Sequence, residues 1–221
     1  MSSAAPRTKV VALVSGRGSN LRVIVERARA GDLPVDLRAV VSDKDDAGAI
    51  AWARTQGIEC ATLPARAFPD RERYDAALAA LVGGYEPDLV VMAGFMRILG
   101  PAFVDRFEGR CLNIHPSLLP KYRGLHTHRQ ALEAGDRVHG ASVHFVTREL
   151  DGGPVVLQAR VPVRDDDDEA SLAARVLEQE HRIYPEAVGW FSTGRLRWQD
   201  GAAWLDGRRL DAPVQLEQAN G

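Results

Sequence analysis

Cysteine is scarce in this chain, with only Cys60 and Cys111 among 221 residues. Both fall in apolar, strand-like stretches that suit buried reduced thiols, so a disulfide framework of the secreted kind is not what stabilises it. No apolar run approaches the roughly 18 residues that a membrane span requires, and Met1 to Thr8 lacks the apolar core of a signal peptide. A cytoplasmic protein is therefore expected. Neither sign of charge is in excess: 28 Lys and Arg stand against 30 Asp and Glu, for a net charge of −2. That balance provides no basic footprint for a polyanion, which argues against nucleic acid or a membrane surface and leaves small molecules as partners. Internal repeats, low-complexity segments and interdomain linkers are also missing.

What the chain does contain is alternation. Lys9 to Val14 is a compact β-branched run, and Leu21, Ile24, Val25 and Ala28 then recur at helical spacing. Leu37 to Val41, Ala47 to Gln56, Glu59 to Leu63 and Asp70 to Tyr85 continue as strand, helix, strand and helix. Asp88 to Ala93 is apolar enough for a strand buried on both faces. This order predicts an α/β fold with a mostly parallel central sheet, right-handed crossovers and flanking helices. Gly140 to Val146 and Val155 to Val163 read as later strands, the second antiparallel or at an edge, and Arg195 to Leu210 as a hairpin. A long helix from about Ser171 carries Leu172, Val176, Gln179 and Ile183 on one stripe, and either stops near Pro185 or continues through it with a kink. One domain over residues 9–210 is expected, with 1–8 as an N-terminal extension and 211–221 as a tail.

Between the first strand and helix stand Ser15-Gly16-Arg17-Gly18-Ser19-Asn20. A Gly-rich turn into a helix brings backbone amides and the positive helix end to a phosphate, so Gly18, Ser19 and Asn20 are candidate contacts. The alternative is a tight turn in which Ser19 or Asn20 caps the helix. A dinucleotide fingerprint wants a glycine where Leu21 stands; a monophosphate suits the loop better, although Asp43 partly fits a ribose-binding acid.

Asn113 and His115 lie two residues apart on a strand that Pro116 ends, and so project from one face. A carboxamide can donate to an oxyanion and an imidazole can move a proton; a satisfied core histidine before a turn is the other reading. Asp151 precedes Gly152-Gly153-Pro154, where a carboxylate can hold an imidazole protonated or simply form an Asx turn. Gly94 to Leu99 lies beyond the carboxyl end of the central strand, where open sheets bind ligands, and equally suits an entry to the helix begun by Pro101. His126 and His128 invite a metal, yet no third ligand follows at suitable spacing, so none is expected and His126 reads as a supporting residue. His144 shares a strand face with Ser142. Arg71 reads as a solvated surface cation, and Glu180, off the apolar stripe, as facing water.

No Ser or Cys pairs with a base in a recognisable nucleophile motif. Direct attack of one bound substrate on another, acyl transfer included, is the chemistry these parts allow. An oxidoreductase using Asp43 and a non-catalytic ligand-binding protein remain alternatives.

The stretches SGRGSNL, AGFMRIL, LNIHPSLLPKYRGLHTHRQAL, HGASVHFV, ELDGGPV and QEHRIYP occur in that order. Together they resemble the phosphoribosylglycinamide formyltransferase family, folate-dependent enzymes of purine synthesis, from about Lys9 to Leu210. The resemblance implies a single-domain Rossmann-like formyltransferase fold with antiparallel strands in the C-terminal half. Its N-terminal half binds the ribonucleotide phosphate and its C-terminal half completes the folate and catalytic site. It implies transfer of the formyl group of the cosubstrate 10-formyltetrahydrofolate to the primary amine of glycinamide ribonucleotide, by direct attack and without an acyl-enzyme or metal. Asn113, His115 and Asp151 match catalytic residues, with Asp151 raising the histidine's pKa and helping to place a water. Gly18, Ser19 and Asn20 match phosphate contacts; Arg71, Met96, Arg97, Ile98, Leu99 and Asn113 match folate contacts. Glu180 matches a contact to the glycinamide substrate, with His126 and His144 behind the site. A monomer or homodimer is expected.

Arg17, Arg123 and Ala141 depart from the family pattern without touching the trio. Arg123 resembles the tRNA-directed formyltransferases, but those carry a second, nucleic-acid-binding domain for which this sequence leaves no room. Formyltetrahydrofolate hydrolases would place a regulatory domain before the first strand. Both absences favour the purine enzyme.

Overall fold

The apolar runs and helical stripes become, in chain order, β1 (Thr8–Val14), α1 (Ser19–Ala30), β2 (Val35–Ser42), α2 (Gly48–Thr55), β3 (Cys60–Thr62) and α3 (Arg71–Gly83). There follow β4 (Leu89–Met92), α4 (Pro101–Val104), β5 (Cys111–His115), α5 (Thr127–Glu133), β6 (Val138–Phe145), β7 (Val155–Pro162) and α6 (Glu169–Ser192). The described chain closes with β8 (Leu196–Gln199), β9 (Ala202–Leu205), β10 (Arg208–Arg209) and β11 (Val214–Leu216). This is a computed structural model that describes residues 7–216. Most of the expected N-terminal extension and the last five residues of the expected tail lie outside the described residues.

Eight strands form one sheet in the order β11-β7-β6-β5-β4-β1-β2-β3. Pairing is parallel except that β6 runs antiparallel to both β5 and β7. Alternate residues of β1 serve two cores: Val10, Ala12 and Val14 pack with α1 and α6, whereas Val11 and Leu13 pack with α3 and α4. That two-sided burial is why β1 and β4 read as continuous apolar runs rather than alternating ones. The strand order reverses direction between β1 and β4, and the carboxyl ends of a parallel sheet at such a switch point form a ready-made crevice.

Two features differ from the sequence expectation. Residues 214–216, read as tail, pair in parallel with β7, so β7 is not an edge strand. The segment Pro101 to Phe107, which reads as one helix, gives way after Val104 to a 3-10 turn over Asp105–Phe107. Of the two courses open to it at Pro185, helix α6 takes the second and continues through the proline. An internal proline costs a helix about 3 kcal/mol. Here Tyr184, Ala187 and Val188 around it are fully buried, and a buried large side chain is worth roughly 2 kcal/mol, so packing outweighs the break. The Tyr184 hydroxyl lies 3.0 Å from the Met92 carbonyl and 2.9 Å from that of Leu112, fixing α6 beneath the ends of β4 and β5. Asp168 and Ser171 close its N-terminus as a capping box.

Candidate active site

The loop after β1 turns on Gly18, which caps α1 with φ 74°. A Cβ there would lie 2.6 Å from that of Ala49, so the turn has room only for glycine. The cap is therefore Gly18 and not Ser19 or Asn20. The first helical hydrogen bond runs from the Arg22 amide to the Gly18 carbonyl, leaving the Ser19, Asn20 and Leu21 amides directed out of the helix end. The buried Asn20 donates through Nδ2 to Glu180 Oε2 at 2.7 Å. Glu180 thus faces inward, against its expected exposure; burial raises its pKa and the Asn20 bond opposes the shift. Arg17 and Arg22 border a recess of about 310 Å³ beside Ser19, with Arg22 stacked 5.2 Å from the Trp52 ring centre. Sequence reading missed Arg22, although its position three residues after Ser19 puts it on the same helix face.

Beyond β4, Gly94 to Ile98 forms one wall of a cleft of about 450 Å³, with Asn113, His115 and Asp151 on its floor. Met96, Ile98, Leu125 and Leu150 are all exposed and all border it. A smaller recess beside Arg97, Ile98, Leu99 and His144 opens against the 147–151 loop. A larger concavity, about 630 Å³, lies at the amino ends of β2 and β3, among Arg7, Arg38 and Glu59, away from all these groups. Arg71 borders neither the cleft nor the recess. Its Nε stands 3.4 Å from Asp75 Oδ2, which accepts the Gly100 amide at 2.8 Å, so Arg71 braces the far end of the apolar segment and stays half-exposed.

Strands β5 and β6 place the polar residues. Register pairs Asn113 with His144 and His115 with Ser142. His144 Nδ1 donates to the Phe145 carbonyl at 2.9 Å, so its Nε2 accepts from Asn113 Nδ2 at 3.1 Å. His115 Nε2 donates to the Tyr122 carbonyl at 2.8 Å, which leaves Nδ1 facing Asp151 Oδ2 at 3.5 Å. Asp151 Oδ2 also accepts the Gly124 amide at 2.8 Å, and Oδ1 lies 3.6 Å from His144 Nε2. The loop carrying Asp151 is closely packed, because a Cβ on Gly153 would sit 1.9 Å from the Phe145 carbonyl oxygen. Arg123 pairs with Glu149, joining the loop after β5 to the loop after β6.

Burial lowers the pKa of His115; the Tyr122 carbonyl and Asp151 push it back up, and the His144 charge adds to the lowering. The Asp151 contribution has the expected sign, but the net shift is downward because desolvation is larger. Burial pushes Asp151 itself upward, yet the adjacent His144 side chain, the bond from the Gly124 amide and the nearby His115 imidazole outweigh it and hold its carboxyl below the ordinary range. The pair is thus set as carboxylate and neutral imidazole.

His126 caps α5 in the left-handed region at φ 59° and borders the cleft. His128 Nδ1 lies 3.2 Å from His139 Nε2, and burial, followed by the His128 charge, lowers the His139 pKa to about 4. Among the described residues no group of three or more His, Cys, Asp or Glu has a metal-binding arrangement. Asp43 does not reach toward a ribose: its Oδ1 accepts from Ser15 Oγ at 2.6 Å in a buried contact.

A family model described as formyl transferase matches residues 8–188. The chain belongs to the formyl transferase family. It is 58% identical over 201 residues to the phosphoribosylglycinamide formyltransferase of Escherichia coli strain K12, covering 91% of this chain and 95% of that protein. The trifunctional purine biosynthetic protein adenosine-3 of Homo sapiens is 37% identical over 191 residues, 86% of this chain and 19% of that longer protein. The solved phosphoribosylglycinamide formyltransferase of Coxiella burnetii superposes with a TM-score of 0.91 at 42% identity, over 96% of this chain and all of that one. As a formyl transferase, the chain has its Gly-rich loop and polar strand end on the same side of the sheet, flanking the switch point. No helix among the described residues is long and apolar enough to cross a membrane.

Proposed function

We infer that the chain transfers a formyl group from 10-formyltetrahydrofolate to the primary amine of glycinamide ribonucleotide, a step of purine synthesis. The observation that carries this reading is the convergence of Asn113, His115 and Asp151 on the floor of one cleft whose wall is apolar. In this reading residues 9–210 are the catalytic unit. The Gly18, Ser19 and Asn20 loop holds the ribonucleotide phosphate, with Arg17 and Arg22 adding positive charge. Glu180, held by Asn20, accepts from the substrate's hydroxyl or amide groups. The folate lies along Met96, Ile98, Leu125 and Leu150, and its heterocycle bonds to backbone groups of Arg97 to Leu99 in the smaller recess. Arg71 contacts the folate only as it leaves the cleft.

The amine attacks the formyl carbon, forming a C–N bond while the carbonyl electron pair moves to oxygen. One N–H of Asn113 is committed to His144; the other is free for that oxyanion. His115 takes the amine proton at Nδ1, the nitrogen that the Tyr122 carbonyl leaves unprotonated, and Asp151 pairs with the resulting imidazolium. Return of the proton to N10 of the folate, directly or through a water at Asp151, lets the C–N10 bond break. Tetrahydrofolate and formylated ribonucleotide leave, and atoms balance with no acyl-enzyme. Mixing purified protein with both substrates tests this: the reading expects the two products in equal amounts, and absence of either refutes it.

A further inference from the structure

Ser15 takes no part in the chemistry above, yet it makes three hydrogen bonds where the two substrate regions meet. It is buried at the end of β1, next to the Gly-rich loop. Its amide donates to the Gly94 carbonyl at 3.0 Å. Its Oγ accepts the Met96 amide at 2.9 Å and donates to Asp43 Oδ1 at 2.6 Å. Gly94 and Met96 belong to the apolar wall of the cleft; Gly16, the next residue in the chain, offers its carbonyl to the Ala49 amide at 3.0 Å, beside the Gly18 turn. Asp43 is itself buried and begins the connection that leads from β2 into α2. A serine with these partners is a strap between one wall and one loop, and alanine at this site would leave the Met96 amide and the Asp43 carboxylate each without a partner.

We propose that Ser15, held by Asp43, is a positioning residue that couples the two substrate sites, so that folate bound against Gly94 to Leu99 tightens binding of the ribonucleotide at the Gly18 loop. This rests on the assigned reaction. Each ligand orders a segment that the strap holds against the other, so the second ligand to bind has less ordering left to supply. Coupling of this kind is reciprocal.

Calorimetric titration of glycinamide ribonucleotide, alone and with saturating tetrahydrofolate, tests it without formyl transfer. The wild-type protein is expected to bind the ribonucleotide about fivefold or more tightly when tetrahydrofolate is present. In S15A that ratio is expected to fall to about one, with a cooperative melting transition retained. Asp43→Asn, which keeps an acceptor oxygen, is expected to preserve most of it. Should S15A fail to fold, D43A, which removes only the acceptor, takes its place and is expected to weaken the ratio. A wild-type ratio of one, or a ratio unchanged in the alanine variant, overturns the proposal. Wild-type turnover combined with either of those results refutes the strap alone; failure of the wild-type protein to bind the ribonucleotide refutes the assigned reaction as well.

Discussion

Because the Tyr122 carbonyl holds the Nε2 hydrogen of His115, only Nδ1 is left to exchange a proton with substrate, and the Asp151 carboxylate stands beside that atom. The sign of its pH dependence follows. A neutral imidazole acting as base loses activity when it is protonated, so the acid limb of kcat/KM lies below the ordinary histidine value. Asp151→Asn removes a group that raises the His115 pKa, so that limb is expected to move to lower pH while the rate falls; an unmoved limb would take Asp151 out of the coupled pair. Asn113→Ala removes the free oxyanion donor and is expected to lower kcat by about 100- to 1000-fold, roughly 3 to 4 kcal/mol, with little change in either KM. Comparable losses in KM alone would reassign Asn113 to binding. The Asn113 and His115 pair was legible from strand alternation, whereas Glu180 was misread, since its partner Asn20 is 160 residues away and only the fold brings them together.

At the scale of elements, the loop between β5 and α5 is what aims His115. Tyr122 donates its hydroxyl to Asp136 Oδ2 at 2.8 Å, and Lys121 Nζ reaches the same carboxylate at 2.8 and 2.9 Å. Tyr122→Phe gives up one of these bonds, worth about 1 kcal/mol, and is expected to lower kcat about fivefold. An unchanged kcat would mean that the Tyr122 carbonyl needs no anchor. Behind the loop, His139 on β6 is neutral in the fold. Its pKa near 4 lies below the unfolded 6.5, so the unfolded chain binds more protons between those values and stability falls as pH drops through that window. The wild-type protein is expected to lose about 2 kcal/mol between pH 7 and pH 5 from this group, and H139Q to lose less; equal urea midpoint shifts in both would contradict it. Prolines and glycines made the loop ends readable in the sequence. The α4 break was not, because the Asp105–Phe107 turn keeps the apolar spacing of a helix.

For the molecule as a whole, the mostly parallel sheet followed from alternating strand and helix patterns, since both faces of β1 and β4 are apolar, whereas the strand order and its switch point come from the fold. The edge strand β11 did not, because three residues with two apolar side chains resemble any tail until β7 pairs with them. Ending the chain at Pro213 removes that pairing and the half-buried Val214 and Leu216. It is expected to cost about 2 kcal/mol and to lower Tm by about 4 to 8 °C, leaving KM unchanged because the cleft lies at the ends of β4 and β5. A large rise in KM would tie the edge to the site.

The most direct measurement of the central claim is a steady-state assay of the purified protein with 10-formyltetrahydrofolate and glycinamide ribonucleotide, following folate and ribonucleotide together. The account predicts one tetrahydrofolate for each formylated ribonucleotide and negligible formate. Formate released in place of the formylated ribonucleotide, or no deformylated folate at all, would contradict it.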